Sequence, residues 1–206
     1  MPRLVASLAA LAVGVLLASV PAVAQQPQQG PSRIRGTVVS LDGTALTLAA
    51  RDGSEQKIVL ANDASVLGLV KASLADIKPG AFIGVTGMPE ADGSQRAVEI
   101  HIFPEKARGT GEGFRPWDLR PNSTMTNAAV AEQVESKDGQ SLLLKYKDGE
   151  KKILVGTDTP VVSFVDGDRA DLKAGAKVIV FVTRESDGTL ASKRIAVGRD
   201  GLTPPM

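Results

Sequence analysis

Two segments of this 206-residue chain are copies of one another, and the duplication constrains the fold more than any other feature. Ile58 to Ile102 aligns without a gap on Ile153 to Val197. Inside that block, Ala75-Asp76-Ile77-Lys78-Pro79-Gly80-Ala81 matches Ala170-Asp171-Leu172-Lys173-Ala174-Gly175-Ala176, and Asp92-Gly93 matches Asp187-Gly188. Upstream, once one residue is dropped, Val38, Asp42, Gly43, Asp52 and Gly53 pair with Val134, Asp138, Gly139, Asp148 and Gly149. Self-similarity over so long a period means one supersecondary unit used twice.

The unit is built from short strands. In the first copy Ile34–Val39, Leu46–Leu48, Lys57–Leu60, Ala81–Val85 and Ala97–Ile102 are short, largely alternating segments, separated by Asp-Gly at 42–43, 52–53 and 92–93. Glycine accepts the positive φ of a tight hairpin turn, so Asp-Gly between such segments is a strong hairpin signal. Ser73 to Ile77 predicts one helical turn after the third strand, closed by Lys78-Pro79-Gly80. The expected fold is all-β: two tandem five-stranded OB-like barrels, over 34–103 and 129–200, joined by an ordered, mostly irregular linker over 104–128 and followed by a tail over 201–206. Closure removes the sheet edges that would otherwise recruit other chains. Aromatic residues make up only 3% of the chain, so the cores must come from Val, Ile, Leu and Ala.

Residues 1–24 read as a signal peptide: Arg3 supplies the positive start, Leu4 to Val20 is nearly all apolar, and Ala22-Val23-Ala24 has the form of a cleavage site. Residues 25–33, polar and rich in Pro and Gly, read as a disordered spacer. The expected location is periplasmic or secreted, with no membrane insertion after leader cleavage. Removing Arg3 leaves 23 basic against 23 acidic residues. That balance gives no electrostatic reason to expect nucleic acid as a partner. With no cysteine in the chain, disulfides, thiol catalysis and thiolate metal sites are excluded.

The Val-x-Ser-x-Asp-Gly opening, the Ala-Asp-x-Lys-x-Gly-Ala turn and the Asp-Gly-x-x-x-Ala ending resemble the bacterial exported OB-like domains known as domain of unknown function 5666. The resemblance covers both copies and rests on turn residues, so it implies a fold rather than an activity. The stretch from Arg108 to Asp118 also resembles one found in exported proteins labelled as metal-transport components; that label implies a membrane permease, and this chain has no permease-like segments.

Between the copies lies the stretch from His101 to Asn127, with the only histidine and the only tryptophan. Arg108, Arg115, Trp117, Asp118 and Arg120 form the expected binding anchor, because an indole among guanidinium groups can stack and make charge-assisted pairs. The segment from Phe114 to Leu119 should therefore pack on a barrel, with Trp117 more than half buried and Arg115 or Arg120 paired to a carboxylate. His101, Glu105 and Glu112 are the candidate metal ligands, and a set dominated by carboxylates favours a loosely held divalent cation. Against this, His101 between Ile100 and Ile102 reads as a residue on the exposed face of an edge strand. Asp166, Asp168 and Asp171 look like a cation loop only on the surface, and turn chemistry explains them better. A serine hydrolase would need His101 as its base, and Ser123 and Thr124 lack a nucleophile elbow. The expected function is a non-enzymatic binding module without a cofactor, for an envelope polymer, a peptide or a protein partner. The alternatives are a metal-ion accessory protein and a weak hydrolase.

Overall fold

The computed structural model describes residues 32–136 and 139–206. The leader, residues 25–31 of the spacer and Asp138 of one Asp-Gly turn lie outside them. Strands β1 (Ser32–Asp42), β2 (Ala45–Ala50) and β3 (Glu55–Ala72) form a meander, and a 3-10 turn at Leu74–Asp76 leads to the hairpin of β4 (Phe82–Pro89) and β5 (Gln95–Ile102). The linker carries a second 3-10 turn, Glu105–Ala107, and a short strand, β6 (Gly113–Pro116), paired with β7. The second copy repeats the order with β7 (Thr124–Ser136), β8 (Gly139–Tyr146), β9 (Gly149–Val155), β10 (Val161–Asp166), a 3-10 turn at Arg169–Asp171, β11 (Lys177–Arg184) and β12 (Leu190–Gly198). The expected all-β class holds. Ser32 and Arg33, assigned by sequence to the spacer, are instead part of β1, where Arg33 pairs with Phe181.

The pairing does not follow the copies. β1 pairs with β2, β2 with β3, β3 runs parallel to β12, β12 pairs with β11, and β11 returns to β1. That circuit closes a five-stranded barrel from three strands of the first copy and two of the second. A second circuit takes the complement: β4 to β7, β7 to β8, β8 to β9 and β5 back to β4, with β5 meeting β9 through Gln95↔Ile153 and Arg96↔Leu154. Two tandem barrels, one per copy, are therefore not the arrangement. The boundaries 34–103 and 129–200 follow the repeats, while each ring takes strands from both.

Strand length gives the reason. The place beside Thr37, taken by Lys177 of β11, is level with Glu55 through Thr37↔Ala49 and Ala49↔Glu55. β3, however, runs on from Glu55 to Ala72 before it ends. Returning along it would mean covering about 50 Å at the rise of a strand. The connection from Ser73 to Ala81 reaches about 32 Å at full extension. The chain is thus carried forward into the other ring. In the second copy Pro160 stands where the first has Ser65, and without an N–H it divides the equivalent strand into β9 and β10.

β3 and β10 pair antiparallel around Leu69↔Phe164, two residues that are equivalent in the alignment. A pseudo-twofold axis therefore passes between them. The parallel pair Ile100↔Val161 mirrors Ile195↔Val66 across it. Ile58 shares its core with Val178, while Ile153 shares the other core with Ile83. These are the equivalent core positions expected from the alignment, but each core draws on both copies. A smaller cluster of Leu69, Val162, Ile179, Ala196 and Met206 lies at the junction. The tail over 201–206 is docked there, Arg35 Nε donating to the Met206 carbonyl at 2.9 Å.

One equivalence is corrected. Val38 pairs with Leu48 and donates its N–H to Ala176, and the residue doing the same in the second copy is Val130, paired with Leu144 and donating to Ala81. Val130 is buried, whereas Val134 is 56% exposed. The β7–β8 pairing is simply longer, running out to Ser136↔Gly139, whereas the first hairpin pairs out to Asp42↔Ala45.

Candidate functional site

The junction of the two rings and the linker encloses a cavity of about 430 Å³. Its base is the row His101–Gly84–Asn127, adjacent residues on β5, β4 and β7. Gly84 is required by close approach: a Cβ there would meet His101 Nε2 at 2.0 Å and Asn127 Oδ1 at 2.7 Å. His101 is 4% exposed and β5 is flanked by β4 and β10, so the exposed edge-strand position expected from Ile100-His101-Ile102 is not found. The alternation is real, but the outer face of one ring is covered by the strand that crosses to the other. Around His101 the aromatic rings gather: Phe103 at 5.0 Å and Phe164 at 5.4 Å meet it edge-on, and they stack on each other at 5.3 Å.

A buried acid holds the imidazole. Glu99 is fully buried and accepts hydrogen bonds from the Thr86 N–H at 3.2 Å and the Thr86 hydroxyl at 2.5 Å. His101 Nδ1 lies 3.2 Å from Glu99 Oε2. The contact fixes the ring, with the donor and acceptor roles set by the tautomer. Both copies have a bulge next to this position, between Thr86 and Gly87 and between Phe181 and Val182. The cross-strand pair at the bulge is Thr86↔Glu99 in one copy and Phe181↔Arg194 in the other. The same backbone site thus carries an acid on one side of the pseudo-axis and a guanidinium on the other.

Arg194 lies 3.9 Å from the Phe181 ring centre and Arg33 3.6 Å from that of Trp117. Arg115 stands 5.4 Å from the same indole and donates to the Gly111 carbonyl at 2.6 Å. Burial, then the nearby charges of Arg33 and Arg194, lower the Arg115 pKa; burial does the same for Arg194. Neither is paired with a carboxylate among the described residues. The cavity wall holds Arg115, Arg194 and Lys106 and no Asp or Glu. Lys106 is an ion-pair partner of Asp166. Two buried polar atoms in the lining lack partners, Trp117 Nε1 and Asn127 Oδ1.

The anchor expected from sequence is partly assembled. Trp117 is more than half buried, as expected. The carboxylate pairing belongs to Asp118, 2.8 Å from Arg35 and 3.4 Å from Arg33, rather than to Arg115 or Arg120. Arg108 is turned away, forked onto Glu105 at 2.5 and 2.7 Å and donating to the Gly80 carbonyl. The Arg120 side chain is exposed, and its N–H donates to the Ser123 hydroxyl in the turn that follows Trp117. The metal-ligand candidates do not converge: His101 is held by Glu99, Glu105 by Arg108, and Glu112 accepts from the Lys147 N–H at 3.1 Å. Among the described residues no group of three or more His, Cys, Asp or Glu is arranged to hold a metal. Asp168 caps the 3-10 turn at Arg169–Asp171 and Asp171 pairs with Arg199 at 2.9 Å, in keeping with turn chemistry for that cluster. Arg33, Glu99, Phe164, Phe181 and Arg194 were not singled out by sequence. Phe181 and Arg194 are cross-strand neighbours in one hairpin, while Arg33, Glu99 and Phe164 lie more than 60 residues from one another and meet only through the fold.

Residues 35–101 match the model of a family described as domain of unknown function DUF5666. The matched segment contains β1 to β5 nearly whole and ends on His101. Its meander and its hairpin therefore sit in different rings, each completed by the second copy. No curated protein and no solved structure matches the chain. Among the described residues, no helix is long and apolar enough to cross a membrane.

Proposed function

We propose that the protein is an exported, non-enzymatic binding module whose binding site is the cavity at the ring junction. The single observation that carries this is the cavity itself: about 430 Å³, walled by aromatic rings and charged side chains, with two buried polar atoms that have no partner. Volumes of a few hundred Å³ with an apolar lining and few convergent polar groups are typical of small-molecule sites. The connectivity of the closed barrel, a meander completed by a hairpin with β3 parallel to β12, supports an OB-like reading. OB-like barrels bind ligands on a strand face and its loops, though fold alone does not assign a ligand. An envelope polymer or peptide would enter this site by one terminal group or side chain rather than along its length.

The buried dyad of Glu99 and His101 has no hydroxyl nucleophile on it, since Thr86 binds the acid rather than the imidazole. That favours binding over hydrolysis. Ala107 lines the cavity from the linker, and Ala107→Phe should fill it. A small-molecule screen read by thermal shift should return ligands that stabilise the wild type and not the filled variant. Ligands that stabilise both equally would place binding elsewhere. Export is tested separately: mass spectrometry of the periplasmic fraction should find a mature chain beginning at Gln25, and an intact leader on membrane-bound protein would contradict it.

A further inference from the structure

We infer that the cavity takes an organic anion: a carboxylate or sulfonate carried on a flat aromatic body. The inference rests on the reading of the cavity as a ligand site and adds the chemistry of what fills it. The charge comes first. Arg115 and Arg194 line the cavity without an Asp or Glu partner among the described residues, and no Asp or Glu side chain lines it; the backbone oxygen of Met206, also in the lining, is already engaged by Arg35 at 2.9 Å. Asp118, the nearest acid of the linker anchor, is already engaged by Arg33 and Arg35. Guanidinium groups that are partly desolvated and line one cavity gain most from a bound anion, and their planar fork suits a carboxylate or sulfonate.

The shape of the lining supplies the second half. Phe103, Phe164, Trp117 and Phe181 all line the cavity; Phe103 and Phe164 stack on each other, and Trp117 and Phe181 each carry a guanidinium on a face. A flat ring can lie between such faces, where a flexible alkyl chain would lose rotamer entropy for less stacking. The indole N–H is a buried donor without a partner and can bind an anionic oxygen, which Asn127 Oδ1, an acceptor, cannot.

Three probes separate the elements on the full chain: 2-naphthoate, 2-naphthylmethanol and decanoate, titrated by calorimetry and by the emission of Trp117, the only tryptophan. Saturable binding of 2-naphthoate with a change in Trp117 emission is expected, about tenfold or more tighter than the neutral alcohol. It should also be tighter than decanoate and weaken as salt is raised. Arg115→Gln and Arg194→Gln should each lose about tenfold for 2-naphthoate and lose less for the alcohol, with an unchanged circular dichroism spectrum as the check that each variant is folded. Equal binding of alcohol and naphthoate, lost in Ala107→Phe, would overturn the anion inference and keep the cavity as a site. Decanoate binding as tightly as naphthoate would overturn the aromatic half. No heat and no Trp117 response with any probe would overturn both this inference and the cavity reading.

Discussion

Gly84 bears on the site more directly than any of the charged residues around it. The imidazole of His101 and the amide of Asn127 both lie over its Cα, in space that any side chain would take. Gly84→Ala should displace both, at a cost of about 1–3 kcal/mol for overpacking. Chemical denaturation reads this directly, and an unchanged midpoint would mean that the row His101–Gly84–Asn127 is looser than described. Asp118 makes a different kind of statement. Burial raises its pKa, but the hydrogen bond from Arg35 and the charges of Arg35 and Arg33 outweigh that and leave it below the usual carboxylate range. A depressed native pKa adds stability that is complete above the unfolded value near 4 and is lost as pH falls through the native one. Asp118→Asn should therefore cost about 0.5–1 kcal/mol at pH 7, small because the carboxylate is 44% exposed, and the gap to wild type should shrink as pH drops below about 4. A gap that persists at pH 2 would mean that Asp118 acts through packing. Little of this residue-level detail was legible in the sequence. Trp117 and Asp118 stood out because of their neighbours in the chain, but Arg33, Glu99 and Arg194 are ordinary strand residues until pairing brings them together.

At the scale of elements, the turns carried most of the legible information. Asp92 and Asp187 each hold the N–H two residues on, at 3.0 Å to Ser94 and 2.9 Å to Thr189, with Gly93 and Gly188 at positive φ. Those local hydrogen bonds are why Asp-Gly could be read as a hairpin without knowing the fold. Strand length and partner choice were not local. Val66 to Val70 is an apolar run that serves as the middle of an 18-residue strand, and only its pairing with both β12 and β10 makes that length stable. The alignment of Val38 with Val134 failed for a related reason: the β7–β8 pairing runs on past Val134 to Ser136, while Val130 keeps the core position. Core coupling gives the test. Ile58→Val and Val178→Ala, from different copies but one core, should couple by about 0.5–1 kcal/mol or more in a double-mutant cycle. Ile58→Val and Ile83→Ala, from one copy but different cores, should add within about 0.5 kcal/mol. The reverse pattern would mean that each copy builds its own core.

For the whole molecule, exchange means that neither copy can unfold alone. Opening either ring removes strands from both copies, so heat should produce one calorimetric transition with equal calorimetric and van't Hoff enthalpies; two resolved transitions would indicate independent units. The duplication was plain in the sequence, but the sequence alone could not distinguish a hairpin that folds back from one that crosses over, because identical turns serve both. The cavity depends on that distinction, since its walls come from both rings and from the linker between them. The most direct measurement uses the absence of native cysteine. Thr37 on β1 is paired with Lys177 on β11, whose Nζ donates to the Thr37 hydroxyl at 2.8 Å, so the two side chains share a face. Thr37→Cys with Lys177→Cys should form an intramolecular disulfide under mild oxidation, seen by mass spectrometry of a peptide joining the two copies. Phe82 holds the place of Lys177 in the first copy. Tandem barrels would instead bring Thr37 beside Phe82, so a bridge in Thr37→Cys with Phe82→Cys and none in the first variant would contradict the exchange.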